Sequence, residues 1–90
     1  MTKYKLTVTM RPGATRRYIH DVCDGRRAGI MEAEVGKRGW LWYFNDCEED
    51  LVGSPYHRLH TSFIESVVYE GKDIVITTMN TVYRLNAIGD

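Results

Sequence analysis

The clearest pattern in the chain is a period of two. Tyr4, Leu6, Val8 and Met10 alternate with Lys5, Thr7 and Thr9, which predicts a strand with one face buried and one wet. Arg11-Pro12-Gly13 ends it, because proline removes a ladder donor and Pro-Gly favours a turn. Alternation returns in Ile30, Glu32 and Glu34 against Met31, Ala33 and Val35. Gly36-Lys37-Arg38-Gly39 then reads as a compact turn whose two glycines supply positive φ, followed by an aromatic strand, Trp40-Leu41-Trp42-Tyr43-Phe44. Residues 56–62 lead into a strand over 63–69. Glu70-Gly71-Lys72-Asp73 turns the chain into a strand over 74–78, Met79-Asn80 turns it again, and residues 81–85 form the last strand before a tail over 86–90.

Residues 14–25 admit two periods. Ile19, Val22 and Cys23 form a helical stripe that Thr15 would cap and Gly25 would close in the left-handed region. Tyr18, His20 and Val22 also alternate as in a strand. The short helix is the preferred reading. The expected fold is mainly β: a small antiparallel barrel or rolled sheet, SH3-like, of five to six strands with one short helix. The predicted interior holds Leu6, Val8, Trp42, Val67, Ile76 and Tyr83. Trp40 and Trp42 share a parity, so they go in or out together. With few large side chains elsewhere, inward is expected.

Ninety residues make one domain, 1–90, with residues 45–55 as an acidic loop. No apolar run reaches the roughly 20 residues of a membrane helix, and the first residues lack a signal peptide's apolar block. A cytoplasmic protein with Cys23 and Cys47 reduced is therefore expected. The net charge is zero but unevenly placed. Residues 1–45 hold nine bases and four acids, and residues 46–90 hold three bases and eight acids. Pairing of strands from the two halves would neutralise much of this.

Few of the chemistry-bearing residues fall into a catalytic pattern. His57 and His60, with Cys47, offer three metal ligands, but the spacing fits no common zinc module, and positions i and i+3 of a strand face opposite sides. Asp46, Glu48, Glu49 and Asp50 lack the alternation and central glycine of a calcium loop. No serine or cysteine stands in a nucleophile elbow, and Gly36-Lys37-Arg38-Gly39 is too short for a phosphate loop. A non-enzymatic protein without metal or cofactor is expected. Binding has better material. Arg16 and Arg17, Arg26 and Arg27, Lys37 and Arg38 form three basic pairs near Trp40, Trp42 and Tyr43, the combination that single-stranded nucleic acid favours.

The segments His60-Thr61-Ser62, Ile64-Glu65-Ser66-Val67 and Ile76-Thr77-Thr78-Met79-Asn80-Thr81-Val82-Tyr83-Arg84-Leu85 resemble the ending of small proteins of bacteriophages and prophages. There a "hTS.V" strand precedes a "TT.NS.Y.L" hairpin. The likeness covers about a third of the chain and carries no catalytic residue. It implies a phage-type protein in the cytoplasm of a bacterial host that docks on a host protein or complex and modulates or inhibits it, as in anti-defence. The acidic residues Asp46, Glu48, Glu49 and Asp50 are the expected contact. The alternative is a nucleic-acid-binding module that uses the six basic residues named above.

Overall fold

A computed structural model describes residues 3–44 and 56–89. Six strands and one helix follow in the order β1 (Lys3–Met10), α1 (Tyr18–Cys23), β2 (Arg27–Glu32), β3 (Arg38–Tyr43), β4 (His57–Glu70), β5 (Asp73–Thr78) and β6 (Thr81–Gly89). Each strand pairs antiparallel with the next, and β6 returns to β1, so the sheet closes into a barrel without a free edge. The expected mainly β fold with one short helix is the observed one.

Inward-facing side chains fill the barrel, alternating along the strands, with the parity in β4 switching between Thr61 and Ile64 where its pairing with β3 shifts register. Leu6 and Val8 of β1, Leu41 and Tyr43 of β3, Leu59 and Ile64 of β4, Ile74 and Ile76 of β5, and Tyr83 and Leu85 of β6 are all buried. Cys23 is carried into the same core by α1. Four of the six expected interior residues, Leu6, Val8, Ile76 and Tyr83, are fully inside, whereas Trp42 and Val67 are only partly buried.

The inward placement of Trp40 and Trp42 is overturned. Leu41 and Tyr43 point in; Trp40 is 36% exposed and Trp42 half-buried on the outer face. A whole strand chooses its face at once, because a one-residue slip exchanges every side chain. Placing the tryptophans inside would also drag Arg38 into the core, since it shares their parity, and an unpaired buried charge costs several kcal/mol. Their cross-strand partners on β4 are Arg58 and His60, which belong in water for the same reason.

Three further expectations are corrected. Residues 86–89 of the expected tail are instead the end of β6: Asn86 pairs with Lys5 and Ala87 with Tyr4. Residues 57–62 are not a lead-in but the first half of a 14-residue strand. β4 serves two neighbours, pairing with β3 from His57 to Phe63 and with β5 from Ile64 to Glu70, with register shifts along each pairing. A bulge lets a strand bend sharply and change partners. Finally, only Gly36 of the two turn glycines takes positive φ, at +89°. Gly39 is needed for space: a Cβ there would stand 2.8 Å from the Glu32 carbonyl oxygen and 2.8 Å from Ile64 Cδ1.

The helix forms as preferred, with Gly25 past its end at φ +81°. Thr15 does not cap it. Arg17 occupies the N-cap position, and its backbone N–H donates to His20 Nδ1 at 3.0 Å. The helix stands where the barrel is weakest. Only Tyr4 and Lys5 of β1 pair with β2. Beyond them, Gly25 N–H donates to the Leu6 carbonyl (2.7 Å) and Leu6 N–H to the Arg26 carbonyl (2.8 Å). The Val8 N–H donates to Asp24 Oδ1 at 3.0 Å. A carboxylate thus continues the ladder after the β2 backbone has left it.

Candidate nucleic-acid interface

The outer face of β2, β3 and β4 gathers a row of aromatic rings. Alternation along β3 sends Trp40 and Trp42 outward, and Phe44, just beyond the strand, continues the row. Trp40 lies flat on His60, with ring centres 4.0 Å apart and planes 2° from parallel. Trp42 meets Phe44 edge-on at 5.4 Å and Tyr56 at 6.1 Å. Trp42 also rests directly on the β2 backbone. A Cβ on Gly29 would fall 2.4 Å from the indole Nε1 and Cε2, so glycine is what lets the ring lie down there. The row is therefore propped by packing from beneath.

Positive charge surrounds the row. The Arg27 guanidinium sits 5.7 Å from the centre of the Phe44 ring, within the range of cation–π attraction. Arg58 pairs across from Trp42 on β4 and is exposed. Arg38 precedes the row on β3, its Nε–H donating to the Thr61 carbonyl at 2.9 Å. That bond fixes the side chain's base while leaving its terminal nitrogens available. Glu32 faces Trp40 from β2 and tempers the charge at that end. Such a face can stack planar rings on tryptophan and neutralise the phosphates that run beside them.

The three basic pairs expected to act together are dispersed by the fold. Arg27 and Arg38 reach the aromatic face. Arg16 belongs to the seam: its guanidinium binds Asp21 and, at 2.9 Å, Asp24 Oδ2, and it donates to the Val8 carbonyl at 3.3 Å. Those two carboxylates raise its affinity for the proton above the usual arginine value. Arg26 donates from Nε to the Val22 carbonyl at 3.4 Å. Lys37 pairs with Glu34 at 3.2 Å. Arg17 lies apart, beside α1. Neighbours in a strand point to opposite sides, so a basic dipeptide rarely presents both charges to one ligand. Arg58 was missed for a related reason: it is an isolated base in the acidic half, and only its register opposite Trp42 reveals it. That pairing would have been suggested by the shared parity of Arg58-His60 and Trp40-Trp42.

Asp46, Glu48, Glu49, Asp50 and Cys47 lie outside the described residues. His57 and His60, considered as metal ligands, attend different rings on opposite faces: His57 stacks on Tyr43 at 5.5 Å and His60 on Trp40. Among the described residues no group of three metal-ligating side chains occurs, and no helix is long and apolar enough to cross a membrane. The expected joining of the two charged halves is seen in Arg11 and Glu65, 2.7 Å apart. Arg84, by contrast, pairs within its own half, with Glu70 at 3.1 Å.

No family model, curated protein or solved structure matches the chain.

Proposed function

We propose that the protein binds single-stranded nucleic acid on the outer face of β2, β3 and β4. The observation that carries this reading is the outward row Trp40, Trp42 and Phe44, held by Gly29 and His60 and flanked by Arg27, Arg38 and Arg58. Indole rings spend hydrophobic area in water only at a loss, so a row of them beside arginines favours a ligand with flat faces and negative charge. Single strands qualify because their bases are free to leave one another. A duplex hides its base faces. Docking on a host protein through Asp46, Glu48, Glu49 and Asp50, and a phage origin, draw on residues and a resemblance that leave this face unexplained.

The test is a salt series of fluorescence titrations with thymidine and uridine dodecamers against a duplex of equal length. Tight single-strand binding with quenched tryptophan emission supports the reading. Three arginines on the face set an expected slope of log K against log salt of about −2, since each phosphate neutralised on a single strand contributes about −0.7. Arg58→Gln should reduce the slope by about 0.7, and Trp40→Ala should cost about 1–3 kcal/mol of binding with the barrel intact. Equal affinity for duplex and single strand, or a slope near zero, would reject it.

A further inference from the structure

A second feature lies at the end of the barrel where β1 finishes and β3 and β6 begin. A recess of about 430 Å³ opens between the segment 13–15, α1, β3, β4 and the β5–β6 turn, a size suited to a small ligand. Its polar lining includes Arg17, His20, Arg38, His60 and Asn80, and no carboxylate of the described residues lines it. Arg16, next to Arg17, has two acids to itself, but neither Arg17 nor Arg38 has a carboxylate partner among the described residues. Two arginines lining one hollow that holds no carboxylate of the described residues make it favourable to an anion.

His20 adds a directed donor. The Arg17 backbone N–H donates to its Nδ1, so the neutral ring carries its proton on Nε2. The residue is 8% exposed and lines the recess, and no described residue accepts from its Nε2–H. A donor that opens onto the recess and has no protein acceptor is free to meet a ligand oxygen there. Two charges and a neutral N–H suit a phosphate monoester, which carries about −1.5 to −2 near neutral pH and three acceptor oxygens. A diester inside a strand carries one charge.

We propose that this recess is a phosphomonoester site. Arg38 and His60 line it and also border the Trp40 end of the aromatic row, so the monoester is taken to be the terminal phosphate of a strand lying on that row. This choice of source, though not the recess chemistry, rests on the function proposed above.

The full-length protein is titrated with thymidine dodecamers bearing a phosphate at the 5′ end, at the 3′ end or at neither, and with free thymidine monophosphate. Tryptophan quenching reads the row, and the His20 Nε2 and Arg17 Nε resonances read the recess. One phosphorylated dodecamer should shift both resonances and bind about tenfold tighter than the hydroxyl-ended strand. Arg17→Gln, which keeps the backbone N–H that orients His20, should abolish that advantage; Arg38→Gln should reduce it. If all three dodecamers quench equally and the recess resonances stay still, the recess proposal is overturned while the row's function stands. If the mononucleotide shifts His20 and Arg17 and no dodecamer quenches tryptophan, the phosphate site is upheld, its ligand is a free nucleotide, and the single-strand reading falls. If no probe moves either signal, both are wrong.

Discussion

Gly29 and Trp42 illustrate how one missing methyl group can set the shape of a surface. The indole contacts the Gly29 backbone so closely that any Cβ would collide with it. Gly29→Ala should therefore lift Trp42 from its seat, and the adjoining contacts with Phe44 and Tyr56 with it. The expected result is a change in tryptophan emission and single-strand affinity reduced about tenfold, the equivalent of one lost base stack. A melting temperature lowered by only a few degrees would accompany it. Unaltered affinity would show that the ring's position does not matter to the ligand. His20 offers a second test at this scale. Burial, and then the nearby Arg16 and Arg17 charges, lower its affinity for a proton. The unfolded chain takes up that proton near pH 6.5, the native chain only below its depressed value. The neutral ring's stabilising contribution is thus complete above about pH 6.5 and is lost as pH falls through that value towards the native one. Urea unfolding between pH 7.5 and 5 should show this slope in the natural protein, and His20→Asn should flatten it. Neighbouring Cys23 has its thiol pushed up to about 11 by burial, so it stays protonated across that range.

Among the elements, the β1–β2 seam decides how the barrel closes. Two residue pairs hold these strands directly, against eight between β1 and β6. The side chain of Asp24 replaces the missing backbone acceptor for Val8 N–H, and Arg16 clamps the same carboxylate. Asp24→Ala should leave the Val8 N–H and the Arg16 guanidinium without their acceptor, destabilising the domain by about 1–3 kcal/mol. Hydrogen exchange should then accelerate first at Val8 and in α1. If exchange rose evenly over the whole barrel, the seam would be no weaker than the rest. The 14-residue strand β4 works in the opposite way, tying the aromatic half of the barrel to the hairpin half by pairing with β3 and then β5. Gly39 makes the tightest point of that tie, where its N–H donates to Thr61 Oγ1 at 2.8 Å.

At the level of the whole molecule, closure separates two populations of aromatic residues. Tyr43 and Tyr83 are inside; Trp40 and Tyr56 are outside, with Trp42 partly covered. The closed sheet has no edge with which to add a partner strand, so recognition falls to side chains on its outer face. The arginines bordering that face should then set most of the salt dependence. Reversing Glu48, Glu49 and Asp50 to lysine should leave the slope of single-strand binding with salt within about one unit of the natural value, with affinity equal or higher because negative charge has been removed. Complete loss of function on that reversal, with the arginines intact, would instead favour docking on a protein partner. Replacing Arg27, Arg38 and Arg58 together by glutamine should abolish binding at 150 mM salt while the β-rich circular dichroism spectrum persists.

The order of polar and apolar residues was enough to assign the class of fold, because local patterns answer local questions. Alternation in residues 4–10 named the inward residues Leu6 and Val8 correctly. Gly71 and Asn80 marked turns that the structure retains, and Gly25 ended the helix at positive φ. It also showed that Trp40 and Trp42 act as a pair, since parity is a property of the strand. Which way that pair faces was settled by tertiary structure, through Gly39's lack of room, the outward Arg38, and the β4 partners Arg58 and His60. The same holds for Arg16 and Arg27, nearly alike in sequence context. One locks a seam and the other borders the aromatic row, because Asp24 and Phe44 meet them only after the chain has folded. Residues 86–89 carried no strong strand signal, yet they join the sheet because β1 offers pairing partners to Asn86, Ala87 and Gly89. Period, turn chemistry and parity are written in neighbouring residues; facing, pairing and charge neutralisation depend on strands far apart in sequence.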